Sequence, residues 1–321
     1  MSIYNKPYLT FEQQLDLLKS RGLEIPSDSY ALKYLSRLGY YRLSGYWYPF
    51  RKLSSTLLTL SERREDEFVV GAQFCDAVEL YVFDKKLRLI ILDAIERIEV
   101  AIRVDIAYVL GKKDPFAHIN PALLHGSFTK VVDPKTGVTR FHDWLIKQEY
   151  LLYRSKEDFV QHYQKKYGLP LPIWVVIELW DFGMLSVFYQ GMTIKDKKII
   201  ADKYKIPNWQ IMQSWLRCLN YVRNTAAHHS RLWNRKLVIR PKLDKLGEMP
   251  GFDHLVGNVD MITRVYAALC VLIHFMDNVY LNSSWKKRLK NLIDQFPQKT
   301  TVNIHNMGFP KNWYHQKLWS I

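Results

Sequence analysis

Acidic residues are missing where they would matter most. Between Asp202 and Asp244 there is no Asp or Glu, while nine Lys and Arg residues fall between Lys203 and Lys242. Cysteine is also scarce. Cys75, Cys218 and Cys270 are far apart and odd in number, with no CxxC or Cys/His spacing, which excludes a disulfide framework and a zinc site and fits a reducing cytoplasm. No metal or cofactor is expected. Long apolar runs are absent too: the most apolar stretch, "VYAALCVLIHFM" from Val265 to Met276, is about half of the roughly 20 residues a spanning helix needs. It reads as a buried helix, and no membrane partner is expected. The opening "MSIYNKPYLTFEQQ" has no apolar run behind a basic flank, so no signal peptide is expected. No internal repeat is found.

What is present is apolar and basic. Of the 321 residues, 48% are hydrophobic, enough for a substantial core. The 46 Lys and Arg against 31 Asp and Glu leave a net charge of +15, which favours polyanion partners because neutralised phosphates release counterions. Nucleic acid is the first partner class; an anionic membrane surface, the second, is set aside because the basic "SSWKKRLKNLIDQF" lacks a broad exposed apolar face.

Apolar residues recur at helical spacing in most long segments and alternating runs are few, so the fold is expected to be all-α. Thr10 with Gln13 forms a capping-box pattern and Gly22 supplies a helix stop. A second helix follows Ser27 or Asp28. From about Gly71 to Leu110 the pattern predicts one long bundle helix, with room for a single break. The Asp-Pro and Asn-Pro pairs between Gly111 and Arg140 mark an irregular connection. Helical patterns resume in "FHDWLIKQEYLLYRS", "SKEDFVQHYQKKYG", "LPIWVVIELWDFGMLSVFYQGM", "IKDKKIIADKYK" and "NWQIMQSWLRCLNYVRNTAAHH", then from about Val259 to Leu281 and in the basic "SSWKKRLKNLIDQF". The tail, with two tryptophans, is expected to pack as an ordered extended strap.

Two stretches carry chemistry. "GYYRLSGYWYPFRK" interleaves aromatics with Arg42, Arg51 and Lys52. Such a cluster can stack and pair with unpaired nucleotides, although core filling is the commoner use of aromatics at this density. "LNYVRNTAAHHSRLWNR", Leu219 to Arg235, combines Arg223, Asn224, His228 and His229 in the acid-free region. These residue types suit metal-free RNA cleavage, in which a 2'-hydroxyl attacks its own phosphorus and leaves a 2',3'-cyclic phosphate. A histidine can move the proton, and a guanidinium fork can stabilise the charged phosphorane. On a straight helix Arg223 and His228 stand about 140° apart, whereas Asn224 and His228 share a face. A distorted helix, a long reach by Arg223, or two motifs meeting across a dimer would each resolve this. The ordinary alternative is a helix end with a histidine complementing its dipole and solvated arginines beyond. Arg217, Arg231, Arg235 and Lys236 are the nearest candidates for RNA binding.

The Leu219–Arg235 segment closely resembles the hallmark of the Abi-2 abortive-infection family (AbiD/AbiF-like), within the HEPN superfamily of helical ribonucleases. "KPYLTFEQQLDLLKSRGL", "YLSRLGYYRLSGYWYPFR", "YVFDKKLRLIILDAIERIEVAIR", "LPIWVVIELWDFGMLSVFY" and "MGFPKNWYHQKLW" resemble that family in the same order. The resemblance implies a HEPN-type helical bundle with additional helices, and one domain over 1–321: an aromatic-rich part at 1–55, a core at 71–281 and a basic helix and tail at 282–321. It also implies an endoribonuclease in which Arg223 binds the scissile phosphate, His228 is acid or base and Asn224 orients them. His229 stays open as the working base. Glu96 or Glu99 would position the histidine, unless each is a surface ion pair. A homodimer is implied, as is control by a small structured antitoxin-like RNA. The alternative function is a protein that holds such an RNA without cutting it.

Overall fold

The computed structural model describes residues 7–54, 64–280, 282–299 and 301–320. The reading of residues 1–6, the boundary at Ser55, the helix end at Leu281 and the final Ile321 lie outside the described residues. Among the described residues there are fourteen α-helices and a two-stranded antiparallel sheet, so the fold is all-α as expected.

At the N-terminus α1 (Phe11–Ser20), α2 (Asp28–Leu38) and α3 (Tyr40–Trp47) lead into the hairpin of β1 (Arg51–Leu53) and β2 (Arg64–Phe68). Thr10 and Gln13 form the capping box, and Gly22 beyond the helix end adopts φ +85°. Arg51 opposes Phe68 across the hairpin, and Arg21 and Arg51 both grip Asp66, at 2.7 and 3.0 Å.

The long helix α4 runs unbroken over Phe74–Gly111, roughly 57 Å at the α-helical rise. Gln73 and Asp76 close a capping box at its start. Its buried residues are spread around much of its circumference because α3 and six of the helices that follow all pack on it. The irregular connection after α4 contains the one-turn α5 (Gly126–Thr129), and α6 (Arg140–Arg154) and α7 (Asp158–Tyr167) follow it.

Two segments read as single helices are each divided. Ile173–Gly191 splits into the short α8 (Ile173–Val176), a 3₁₀ turn and α9 (Phe182–Gly191). The break has a local cause: Asp181 caps α9 by accepting from the Met184 N–H at 2.8 Å, and Arg103 holds the preceding Trp180 carbonyl at 2.7 Å. Likewise Val259–Val279 splits into α12 (Val259–Ile262) and α13 (Val265–Val279). There the Leu237 N–H bonds the Thr263 carbonyl at 2.7 Å, and Arg264 reaches the Asn234 carbonyl at 2.7 Å, pinning the junction to the segment that follows α11.

The remaining helices are α10 (Ile194–Lys203), α11 (Trp209–Ala227) and α14 (Trp285–Asp294). Val265–Ile273 of α13 is buried at every position, the behaviour of a helix enclosed by neighbours on all sides. Among the described residues no helix is long and apolar enough to cross a membrane. The tail is ordered as expected, but it packs through short 3₁₀ turns and not as an extended strap, because Trp313 and Trp319 fold back to bury against Phe309 and Tyr266.

Candidate functional site

The Leu219–Arg235 segment forms the end of α11 and the turn beyond it. α11 starts where Asn208 accepts from the Gln210 N–H at 2.8 Å. It buries Ile211, Met212, Trp215, Cys218, Leu219, Val222 and Thr225 at helical spacing, which fixes the opposite face outward. Arg217 and Asn224 are exposed, and Arg223 is half-buried.

The helix ends in a Schellman turn. The His229 N–H returns to the Ala226 carbonyl and the Ser230 N–H to the Thr225 carbonyl, both at 3.0 Å. Glycine usually occupies the left-handed position of this motif, yet here it is His229, at φ +56°. A non-glycine residue there carries strain, which surroundings must hold in place. The turn leaves both His228 and His229 exposed.

A buried carboxylate does the holding. Asp84 of α4, fully enclosed, accepts from the N–H groups of Leu232 and Trp233 at 3.1 and 2.8 Å and from the Tyr46 hydroxyl at 2.7 Å, and pairs with Arg88. Burial pushes the Asp84 carboxyl up from its ordinary value, while Arg88 and the three other donors draw it down. Two arginines add ties to α3: Arg42 donates to the His229 carbonyl at 2.8 Å, and Arg231 to the Gly45 carbonyl. Asp84, Arg88, Tyr46 and Arg42 were not singled out for this role by sequence. The Asp84/Arg88 pair, four apart on an apolar helix, was the available signal.

The motif is divided between two grooves. Arg223 lines one of about 590 Å³ on the α4 side, with Asp93, Glu96, Glu99 and Arg103. His228 and His229 line another of about 620 Å³ on the α3 side, with Tyr41, Arg42, Arg231, Arg235 and Lys236. Within the motif, Arg223 bonds the side chain of its neighbour Asn224 at 3.3 Å.

The two grooves differ in charge. Among the described residues, no acidic one lines the histidine groove. In the Arg223 groove Glu99 pairs with Arg103 at 2.5 Å. Burial raises the Glu99 carboxyl above its ordinary value, and Arg103 and then Arg223 oppose that. Glu96 is exposed at the lip. Both expected carboxylates therefore stand beside Arg223, in its groove and not in the one that His228 lines. Of the expected RNA-binding residues, Arg217 and Lys236 are exposed. Arg235 bonds the Tyr221 hydroxyl at 3.1 Å, and Arg231 is largely committed to α3.

This is a helical protein with a basic groove at the strained end of a single helix. A family model described as Abi-like protein matches residues 33–234, which run from α2 to this turn. The chain belongs to that family. Membership points to abortive infection, a defence against phage. No curated protein and no solved structure matches the chain.

Proposed function

We propose that this protein is a HEPN-type endoribonuclease of the abortive-infection class, one domain over 1–321, acting in the cytoplasm to arrest growth of an infected cell by cutting RNA without a metal. The observation that carries the reading is the Schellman turn. It presents His228 and His229 at an acid-free basic groove, directly after the helical turn that bears Arg223 and Asn224.

The chemistry follows from those groups. His228 takes the proton of a ribose 2'-hydroxyl as that oxygen attacks the adjacent phosphorus. Arg223 stabilises the charge on the phosphorane oxygens, and Asn224 holds its guanidinium. The imidazolium of His228 formed in that step returns the proton to the departing 5'-oxygen, giving a 5'-hydroxyl end and a 2',3'-cyclic phosphate and restoring the base. Because Arg223 and His228 face different grooves, two copies of the motif brought together in a homodimer supply the complete set. A bound structured RNA would restrain the enzyme by occupying the same basic surface.

The separation of the two grooves also favours the second reading, a protein that holds a structured RNA without cleaving it. The test compares wild type, His228→Ala and His229→Ala on mixed RNA with EDTA present, reading end groups. Cleavage to cyclic phosphate ends that His228→Ala abolishes supports the nuclease and its base. A discrete RNA co-purifying with wild type and His228→Ala, with no cleavage by either, selects the RNA-holding reading.

A further inference from the structure

The helix α3 contributes one side of the histidine groove, and its aromatics are not all used in the same way. Tyr46 and Trp47 are buried, and Tyr40 packs its ring against Trp47 at 5.1 Å. Tyr41 is 92% exposed, and among the described residues it takes part in no ring contact. A lone exposed tyrosine is ordinary. This one is distinguished by its place, because it lines the same groove as His228 and His229.

Its position relative to them is fixed. The adjacent Arg42 holds the His229 carbonyl at 2.8 Å, and Arg231 holds the carbonyl of Gly45 one turn further along α3. The stretch of α3 that carries Tyr41 is thus tied to the strained turn. The groove's volume of about 620 Å³ lies within the roughly 300–1,000 Å³ of small-ligand clefts, room for one or two nucleotides. Arg235 and Lys236 bring positive charge to its wall and no carboxylate opposes them.

We propose that Tyr41 is the base platform of the RNA site. An unpaired base stacks on its ring, Lys236 and Arg235 hold the flanking phosphates, and the attached ribose is presented to His228. This rests on the RNA reading above and assigns α3 as half of the substrate seat. A base inside an A-form stack cannot offer its face to a side chain, so the platform selects loops, bulges and single strands.

The test uses full-length His228→Ala protein, so that binding is read without cleavage, and short unpaired oligoribonucleotides carrying 2-aminopurine, whose fluorescence is quenched on stacking. Adding Tyr41→Ala is expected to weaken binding roughly 5- to 150-fold and to remove the quench, with the melting transition unchanged. Tyr41→Phe retains both. An abasic nucleotide at the quenched position equalises the affinities of the two proteins. Equal affinity and equal quench in the Tyr41→Ala protein would overturn the platform while leaving RNA binding intact. If the parent protein binds no RNA, the RNA reading itself fails and the platform falls with it.

Discussion

The carboxylate of Asp84 accepts a 2.8 Å hydrogen bond from the backbone N–H of Trp233, a residue 149 positions later in the chain. This contact, with its companions to Leu232, Tyr46 and Arg88, ties the segment after the histidines to the long central helix. Asp84→Asn keeps the shape and removes the charge, leaving Arg88 buried without a counterion. The expected loss is about 3–5 kcal/mol, a large share of ordinary domain stability. Urea unfolding of the two proteins measures it, and a difference below about 1 kcal/mol would contradict the role.

The positive φ of His229 leads to a prediction of opposite sign. His229→Gly relieves left-handed strain worth about 1–2 kcal/mol and gives back about 0.4–1 kcal/mol through the freer unfolded chain. The variant is expected to be as stable as wild type or more so. His229→Val, β-branched and unsuited to that conformation, is expected to be clearly less stable. Thermal melting of the three proteins ranks them.

Arg223 has little structural employment: its hydrogen bond to Asn224, at 3.3 Å, is with an exposed neighbour. Arg223→Lys is therefore expected to leave the melting temperature nearly unchanged. Cleavage should fall about 10²-fold, the scale of losing one transition-state donor, because an ammonium cannot grip phosphate in two places. Rates under saturating RNA, set beside melting curves, separate this from a folding defect.

Acid should destabilise the protein through His118, a residue with no part in the proposed chemistry. Burial against Trp180 lowers its pKa from 6.5 to about 4, with Asp114 opposing, and among the described residues its Nδ1 has no hydrogen-bond partner. Between those values the unfolded chain binds a proton that the native state refuses. Stability is therefore present above pH 6.5 and lost as the pH falls toward 4. The total is about 3 kcal/mol at the linkage rate per pKa unit. His118→Phe should flatten the stability curve over that window, and an unchanged slope would assign acid sensitivity elsewhere.

Much of this was legible in the residues. The capping box at Thr10, the uninterrupted α4 pattern and the acid-free stretch around Arg223 are local properties, and local chemistry is written in neighbouring letters. Of the two uses open to the aromatic cluster at Tyr40–Lys52, core filling, the commoner, holds for Tyr46 and Trp47. Tyr41, on the other face of the same helix, faces solvent. The breaks at Asp181 and at Thr263–Arg264 were less visible, because a cap and a distant anchor outweigh an apolar pattern that continues through them.

By itself the sequence determined an all-helical, strongly basic chain, its family, and the residue types of its candidate site. Periodicity, capping and charge act over a few residues and survive without knowledge of the rest. Tertiary packing alone decided that Arg223 and His228 line different grooves, that Glu99 stands with the arginine, and that Asp84 anchors the turn. Those relations span up to 149 residues and depend on how α3 and α11 rest against α4, and the packing of many side chains at once sets that arrangement.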